Sequence, residues 1–266
     1  MNKFYDKKNR RLIIFQEKAS SEFWDRHWQL GNFDKKVVKG KENRFIKKIT
    51  NQFLFPGQKI LEGGCGIGQN VYGLNCWGYD VYGVDFAKDT IHRIKEKFPN
   101  LKVSEQDVRK LNFPDNFFDG YWSLGVIEHF WEGYDKILRE AKRVIKPGGY
   151  FFLTFPYMSP LRKVKANLGI YKIFNSSLKN DNFYQFILDT NEVKNNVGKY
   201  DFELIVKQSF DATKGIKDEI FILSPILQKV YDSQELFAKG IRFLNSILFS
   251  KVASHSVLLV LKKYEK

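Results

Sequence analysis

Between residues 59 and 155, short apolar runs alternate with segments in which apolar residues recur every three or four positions. The runs are rich in branched and aromatic residues, which predicts β-strands, and the segments between them predict helices. The predicted strands are 59–63, 79–85, 101–105, 118–124 and 150–155. Strands that alternate with helices favour an α/β fold, here a Rossmann-like, doubly wound and mostly parallel sheet.

The pattern changes on both sides of this core. Residues 1–53 predict an N-terminal helical cap, whereas Pro156 and Pro160 interrupt the strand pattern and predict a helical lid or insertion. Two further strands are predicted at 202–210 and 255–262, with about forty largely helical residues between them. The predicted organisation, within a single domain, is a cap at 1–53, a core at 54–155, a lid at 156–200 and closing strands with a helical insertion at 201–266.

Length and cysteine content narrow the class of protein. The chain has 266 residues, of which 43% are hydrophobic, and this is enough to bury a full core. Its two cysteines support neither a disulfide framework nor a four-ligand zinc site, which predicts a reducing, cytoplasmic location. No stretch predicts a signal peptide or a transmembrane segment. Peripheral contact with a membrane remains open for the apolar and basic stretch 225–251.

The net charge of +14 is concentrated in the flanks. Residues 1–60 carry +9 and residues 156–266 carry +6, whereas residues 61–155 carry −1. Basic flanks are compatible with an anionic partner, but they equally fit a compositional bias with ordinary solvated faces. The charge alone therefore does not choose a substrate.

A glycine-rich turn follows the first core strand, at Glu62-Gly63-Gly64-Cys65-Gly66-Ile67-Gly68, and it opens a helix near Gln69. Glycines let the backbone turn sharply and let a ligand approach closely, and the helix N-terminus presents free N–H groups. The dinucleotide pattern GxGxxG fails because Gln69 stands where its third glycine would be. The turn therefore predicts a ligand site other than that of NAD.

Acidic residues end the next two strands. Asp85 follows the second strand and can accept hydrogen bonds from both hydroxyls of a ribose, and Asp107 follows the third and can accept one from an adenine amino group. Alone, each acid is an ordinary turn or cap residue. Together at the carboxyl ends of adjacent strands, beside the glycine turn, they indicate the ligand-binding edge of an open α/β sheet.

In the order and identity of these motifs, the chain resembles the class I S-adenosylmethionine (SAM)-dependent methyltransferases. The resemblance covers about residues 42–155 and, within the family, is similar to the ubiquinone-biosynthesis O-methyltransferases and their small-molecule relatives. It implies a seven-stranded sheet whose last strand is antiparallel, and SAM as cofactor. The motifs that carry it are 61–68, Gly83-Val84-Asp85, Asp107, Phe113-Pro114-Asp115-Asn116-Phe117-Phe118-Asp119, Ser123-Leu124-Gly125-Val126-Ile127-Glu128-His129 and Lys146-Pro147-Gly148-Gly149.

The resemblance also implies roles for individual residues. The glycine turn passes along the methionine part of SAM, Asp85 holds the ribose, Phe86 and Val108 pack on the adenine, and Arg44 meets the cofactor carboxylate. The implied cofactor-binding set is Arg44, Glu62, Gly64, Cys65, Gly66, Gly68, Asp85, Phe86, Asp107, Val108 and Leu124.

Glu128 and His129 bear on the chemistry of transfer. Some relatives use a further Glu, three residues earlier, to complete a metal site, but this chain has Gly125 there, so no metal is predicted. His129 is the candidate general base, because an unperturbed imidazole with a pKa of about 6.5 can take a hydroxyl proton near neutral pH. A structural histidine is the alternative, because SAM carries an activated methyl group and positioning can supply the catalysis.

We therefore expect an enzyme that transfers a methyl group from SAM to a small molecule, at oxygen rather than nitrogen, with a sugar, lipid or quinone-type acceptor that is anionic if the flanks have a partner. A nucleic-acid methyltransferase is the alternative favoured by the basic flanks, although the sequence lacks the Asn/Asp-Pro-Pro-aromatic motif and a Pro-Cys nucleophile. A non-catalytic SAM-binding protein is the third hypothesis.

Overall fold

A computed structural model describes residues 2–29, 31–175 and 180–264, which form one large sheet, one small sheet and the helices around them. The strands are β1 (Asn2–Asp6), β2 (Arg11–Phe15), β3 (Lys59–Gly63), β4 (Asp80–Asp85), β5 (Lys102–Glu105), β6 (Phe118–Leu124), β7 (Ile145–Pro156), β8 (Lys172–Ile173), β9 (Phe183–Ile187), β10 (Phe202–Phe210) and β11 (Ser256–Lys263). The α-helices are α1 (Ser21–Gln29), α2 (Phe33–Val38), α3 (Arg44–Phe53), α4 (Gln69–Cys76), α5 (Lys88–Lys97), α6 (Asp135–Val144), α7 (Pro160–Asn167), α8 (Thr190–Gly198), α9 (Ala212–Glu219), α10 (Ser224–Asp232) and α11 (Leu236–Ala253).

The large sheet has the strand order β10-β11-β7-β6-β3-β4-β5. The strands from β7 to β5 are parallel, whereas β11 is antiparallel to both of its neighbours. The prediction of a Rossmann-like, mostly parallel seven-stranded sheet with its last strand antiparallel is confirmed. The strand order reverses at β3, which lies between β4 and β6, and ligands of open α/β sheets bind at the carboxyl edge of such a point.

Two apolar clusters cover the faces of the large sheet. Successive side chains of a strand point to opposite faces, so Leu61 on β3 packs in the cluster that includes residues of α6 and α8, and Ile60 packs in the cluster that includes residues of α3, α4 and α5. Both side chains are fully buried. Burying a leucine or isoleucine of this kind stabilises the fold by about 1.5 to 3 kcal/mol. The two apolar layers therefore hold the large sheet, and with it the carboxyl edge that carries the site.

The small sheet has the order β8-β1-β2-β9 and corrects the sequence prediction for the N-terminus. The helical cap predicted for 1–53 is wrong over 2–15, which form an antiparallel hairpin, although α1, α2 and α3 follow it. The physical reason is burial on both faces of β2: Ile13 packs into the main core, while Leu12 and Ile14 pack against Met158 and Ile187. A short apolar run of this kind does not distinguish strand from helix by its periodicity.

The predicted lid is also not purely helical. Residues 156–200 contain α7 and α8, but β8 and β9 from the same region complete the small sheet, and β9 pairs with β2. Residues 176–179 of this region lie outside the described residues.

The helical insertion between the closing strands is confirmed as α9, α10 and α11. Because β10 has the same direction as β7, these helices leave β10 and return to β11 at the carboxyl edge of the sheet.

Candidate active site

A cavity of ≈ 510 Å³ lies at the carboxyl ends of β4 and β6, beside the glycine turn after β3. It is closed on the other side by α1, by the residues after β6 and by β9. The lining residues are Lys18, Ala19, Trp24, Trp28, Gly64, Asp85, Phe86, Gln106, Asp107, Val108, Arg109, Leu124, Gly125, Val126, His129, Phe130, Trp131, Glu132 and Phe183. The structure therefore brings together Gly64, Asp85, Phe86, Asp107, Val108, Leu124 and His129 from the predicted set.

The glycine turn needs its glycines for close approach. Gly64 has φ +75°, and a Cβ there would lie 2.5 Å from Cγ2 of Val126. Gly66 has φ +50°, and a Cβ there would lie 2.8 Å from the Trp28 ring. A side chain at either position would be strained and would fill the space between the turn and the opposite wall. The two glycines therefore let Val126 and Trp28, which line the cavity, pack directly against the turn.

Asp85 is buried and already oriented by the backbone. Its Oδ2 accepts the Gly66 N–H at 2.8 Å and its Oδ1 accepts the Ala87 N–H at 2.9 Å. Burial raises the pKa of this carboxyl, and the backbone donors oppose that shift. Each carboxylate oxygen can accept more than one hydrogen bond, so both can also receive a ribose hydroxyl from the cavity.

Asp107 lines the cavity but is paired with Arg109. The Arg109 Nε lies 3.0 Å from both carboxylate oxygens, and Nη2 lies 2.6 Å from Oδ2. Burial acts to raise the pKa of Asp107, but the hydrogen bonds and charge of Arg109 outweigh it and lower that pKa. An adenine amino group would therefore share the Asp107 carboxylate with the Arg109 guanidinium. The sequence motif did not indicate this ion pair.

The other predicted cofactor residues lie outside the cavity lining. Glu62 is buried behind the turn, where its Oε1 accepts Asn70 Nδ2 at 2.8 Å and burial raises its pKa to about 8. Cys65 is also buried, and burial raises the pKa of its thiol. Gly66 and Gly68 belong to the turn itself, and Gly66 reaches the site through Asp85. Arg44 is exposed at the first residue of α3.

His129 follows β6 in a single 3-10 turn, half-buried between the rings of Trp24 and Tyr184 at centroid distances of 5.2 and 5.1 Å. Its Nδ1 lies 2.7 Å from the carbonyl oxygen of Tyr184. A carbonyl can only accept, so Nδ1 carries the proton and Nε2 keeps the lone pair in the neutral ring. Burial lowers the pKa of His129 to about 4, which keeps the ring neutral at pH 7.

Glu128, the neighbour of His129, is buried, and burial raises its pKa to about 8. Its Oε2 makes no hydrogen bond to the part of the chain that the structure describes. Across residues 2–29, 31–175 and 180–264, no group of three or more His, Cys, Asp or Glu side chains is placed to hold a metal ion.

Aromatic side chains form the wall that faces the large sheet. Trp24 and Trp28 belong to α1, and Asp25 on the same helix accepts the Thr90 N–H at 2.8 Å and the Thr90 hydroxyl at 2.7 Å. This bond secures α1 to the start of α5. Trp131 lies two residues after His129, whereas Phe183 had no local signal in the sequence, because the pairing of β9 with β2 brings it here.

Comparison with known proteins agrees with this architecture. Residues 61–153 match a family model described as "Methyltransferase domain". The chain is 29% identical over 100 residues to a probable S-adenosylmethionine-dependent methyltransferase of Mycolicibacterium smegmatis, covering 38% of each protein. It is 28% identical over 181 residues to phosphoethanolamine N-methyltransferase 3 of Arabidopsis thaliana, covering 62% of this chain and 35% of that protein. The chain thus spans well under half the length of both relatives.

A solved phosphoethanolamine N-methyltransferase 2 of Haemonchus contortus, in complex with phosphomonomethylethanolamine and S-adenosylhomocysteine, has a TM-score of 0.56 to this chain at 16% identity, covering 93% of this chain and 61% of that one. At this identity the likeness shows the fold. Residues 61–153 thus resemble a methyltransferase domain, within a fold shared with a solved methyltransferase, and the relative from Mycolicibacterium smegmatis is named as SAM-dependent.

Proposed function

We propose that this protein transfers the methyl group of SAM to a small-molecule acceptor that binds against the aromatic wall of the cavity. The observation that carries the proposal is one cavity in which Gly64 and Asp85 face His129 and the aromatic rings beside it. Cofactor and acceptor can therefore lie side by side in one cavity, as a direct transfer between them requires.

The residues present fit SAM. The bare backbone at Gly64 suits the methionine part, Asp85 suits the ribose, and Phe86 and Val108 suit the adenine. When bound, SAM supplies a methyl group activated by its positive sulfonium. The rings of Trp24 and Trp28 offer faces that attract such a cation.

An oxygen acceptor is favoured by His129. Its neutral ring presents the Nε2 lone pair as an acceptor, which can orient a hydroxyl group and receive its proton. A pKa of about 4 makes the ring a weak base, so we expect its main role to be orientation. Nitrogen is the alternative, and it is the atom methylated by the phosphoethanolamine enzymes that this chain resembles.

For the acceptor, we propose an anionic small molecule of the sugar, lipid or quinone type. The quinone-type choice follows the resemblance to the ubiquinone group. The anionic choice is supported by the +14 net charge and by the phosphorylated substrate named for one relative. Nucleic acid stays the second candidate because of the same charge.

The proposal is tested by titrating the purified chain with SAM and with NADH in a calorimeter, then measuring S-adenosylhomocysteine release with a panel of phosphorylated alcohols, amines and hydroquinones. We expect SAM to bind at micromolar concentration, NADH not to bind, and release to require one acceptor class. Binding of NADH without SAM would contradict the cofactor. SAM binding without turnover on any acceptor, including RNA and DNA, would favour the non-catalytic SAM-binding hypothesis.

A further inference from the structure

The segment 221–253 exposes its large apolar side chains instead of burying them. Each of six is more than half exposed: Phe221, Leu236, Phe237, Phe243, Ile247 and Leu248. Monomeric soluble proteins rarely expose contiguous apolar patches larger than a few hundred Å², and larger patches mark an interaction site. We call residues 221–253 the apolar-basic surface.

Helix α11 shows that this exposure is built into the fold. Its inner side is small or polar: Ala238 and Ala253 are buried, and Asn245 Nδ2 donates to the Thr213 hydroxyl at 3.2 Å. Arg242 turns back to the carbonyl oxygens of α10 and donates to that of Ser233 at 2.7 Å. A helix on a water-soluble surface has the reverse arrangement, with its apolar side inward. The outer face of α11 is therefore matched to an apolar surrounding.

The charge of this surface is positive. Residues 221–253 contain four basic and two acidic residues, and Lys229, Lys239 and Lys251 are exposed. The carboxylate of Glu219 on the adjacent α9 is occupied by internal partners, including Arg162 at 3.1 Å and Lys165 at 2.8 Å. Apolar side chains interleaved with lysines are the composition that binds an interface of acyl chains and anionic headgroups.

We propose that the apolar-basic surface docks the protein on a membrane leaflet that contains anionic phospholipids. Among the residues that the structure describes, no helix is long and apolar enough to cross a bilayer, so α11 would lie in the plane of the interface. Because α9, α10 and α11 connect strands at the carboxyl edge of the large sheet, the bilayer would lie at the edge that carries the cavity.

The test measures co-sedimentation of the full chain with vesicles, a readout that does not depend on methyl transfer. We expect saturable binding to phosphatidylcholine vesicles with about 30% phosphatidylserine, and much weaker binding to phosphatidylcholine alone. The double variant Phe243→Glu plus Ile247→Glu should weaken binding by about tenfold or more, because it charges the face that enters the interface. The variant Lys239→Glu plus Lys251→Glu should weaken it by at least about 30-fold, because losing each lysine costs roughly fivefold and each new carboxylate repels the anionic headgroups.

Matched controls lie elsewhere on the surface. Phe55 is 72% exposed just before β3, at the opposite edge of the large sheet, so Phe55→Glu should leave vesicle binding unchanged. Lys48→Glu plus Lys95→Glu changes the net charge equally on α3 and α5 and should have a small effect. Equal binding by the chain and the Phe243→Glu plus Ile247→Glu variant, or no preference for anionic lipid, would overturn the proposal. A concentration-dependent dimer that this variant abolishes, without vesicle binding, would assign the surface to a second copy and also overturn it.

Discussion

The two walls of the cavity are built from different materials. The wall on the large sheet presents backbone and carboxylates: the turn at Gly64, Asp85 held by two N–H donors, and Asp107 held by Arg109. The facing wall presents rings from α1 and β9 and from the residues after β6. Hydrogen bonds fix both distance and direction, whereas ring faces fix shape and tolerate many orientations. The first wall therefore suits a ligand held in one orientation, and the second suits a ligand recognised by its shape.

Burial acts on both walls in the same sense, since it disfavours charge wherever it occurs. It raises the pKa of Asp85 on the carboxylate wall and lowers the pKa of His129 to about 4 on the aromatic wall. Asp85 is compensated by backbone donors, whereas His129 keeps a neutral ring. The charged carboxylates Asp85 and Asp107 therefore lie on the carboxylate wall, whereas the aromatic wall presents the neutral ring of His129.

The largest predicted effect concerns the support of the aromatic wall. Arg162 on α7 is buried and donates to Glu219, which also accepts from Lys3 on β1 and from the Tyr171 hydroxyl. Removing one partner of a buried ion pair costs about 3 to 5 kcal/mol, because the other charge stays buried. We expect Arg162→Met to lower the free energy of unfolding by this amount in chemical denaturation.

The exposed pair of Arg26 with Glu17 provides the control for that substitution. Surface pairs contribute about 0 to 1 kcal/mol, so Arg26→Met should change the free energy of unfolding little. If the two arginine variants have the same free energy of unfolding, the buried cluster around Glu219 does not stabilise the small sheet. The proposed structural support of the aromatic wall would then be wrong.

The second prediction addresses the carboxylate wall. Asp85→Ala removes the acceptor for two backbone donors and the proposed acceptor for the ribose, so SAM affinity should fall by about 1 to 3 kcal/mol. Calorimetry measures this loss. Asp80→Ala, at the half-buried start of the same strand and away from the cavity lining, should leave the affinity unchanged. Unchanged SAM binding by Asp85→Ala would remove this residue from the ribose site.

The third prediction concerns His129 on the aromatic wall and the pH dependence of turnover. Because the folded pKa of His129 is lowered to about 4, the neutral ring is present above that pH, and the turnover that depends on it should fall only as the pH drops through about 4. His129→Gln should reduce kcat by about tenfold, which is less than the roughly hundredfold or more of full acid–base catalysis because orientation is its expected main role, and should leave the Kd for SAM unchanged. An acid limb near pH 6.5 in the rate profile would show that His129 titrates as an ordinary exposed imidazole.

The carboxylate wall could be predicted from sequence because its signals are local. Glycine spacing after β3 and the acids after β4 and β5 lie within a few residues of the strands that position them. The ion pair between Asp107 and Arg109 could not be predicted, although the two residues are only two positions apart. The motif does not specify the direction in which either side chain points. Arg44 was assigned from the resemblance alone, and its exposed place on α3 leaves that role a prediction.

The aromatic wall could not be predicted, because it depends on pairing between distant segments. Leu12 on β2 pairs with Ile187 on β9, and no local pattern encodes a contact across that separation. The helical character of the segment between β10 and β11 is predicted from sequence, but that prediction does not say which face of α11 points outward. Only packing against α9 and α10 shows that the apolar face is the exposed one.

The smallest predicted effect concerns the influence of the basic flanks on kcat/KM for the acceptor. If the acceptor is anionic, the basic flanks should raise its encounter rate, and kcat/KM should fall a few-fold as salt rises, because exposed charges are screened over about 8 to 10 Å near physiological salt. The Kd for SAM should change much less, since Asp85 and its donors are buried. Initial rates and calorimetry across one salt series measure both. A far steeper fall, with gel-shift binding of duplex or single-stranded nucleic acid that persists at about 0.2 M salt, would favour a nucleic-acid acceptor. A flat kcat/KM would instead leave the +14 charge without a role on either wall.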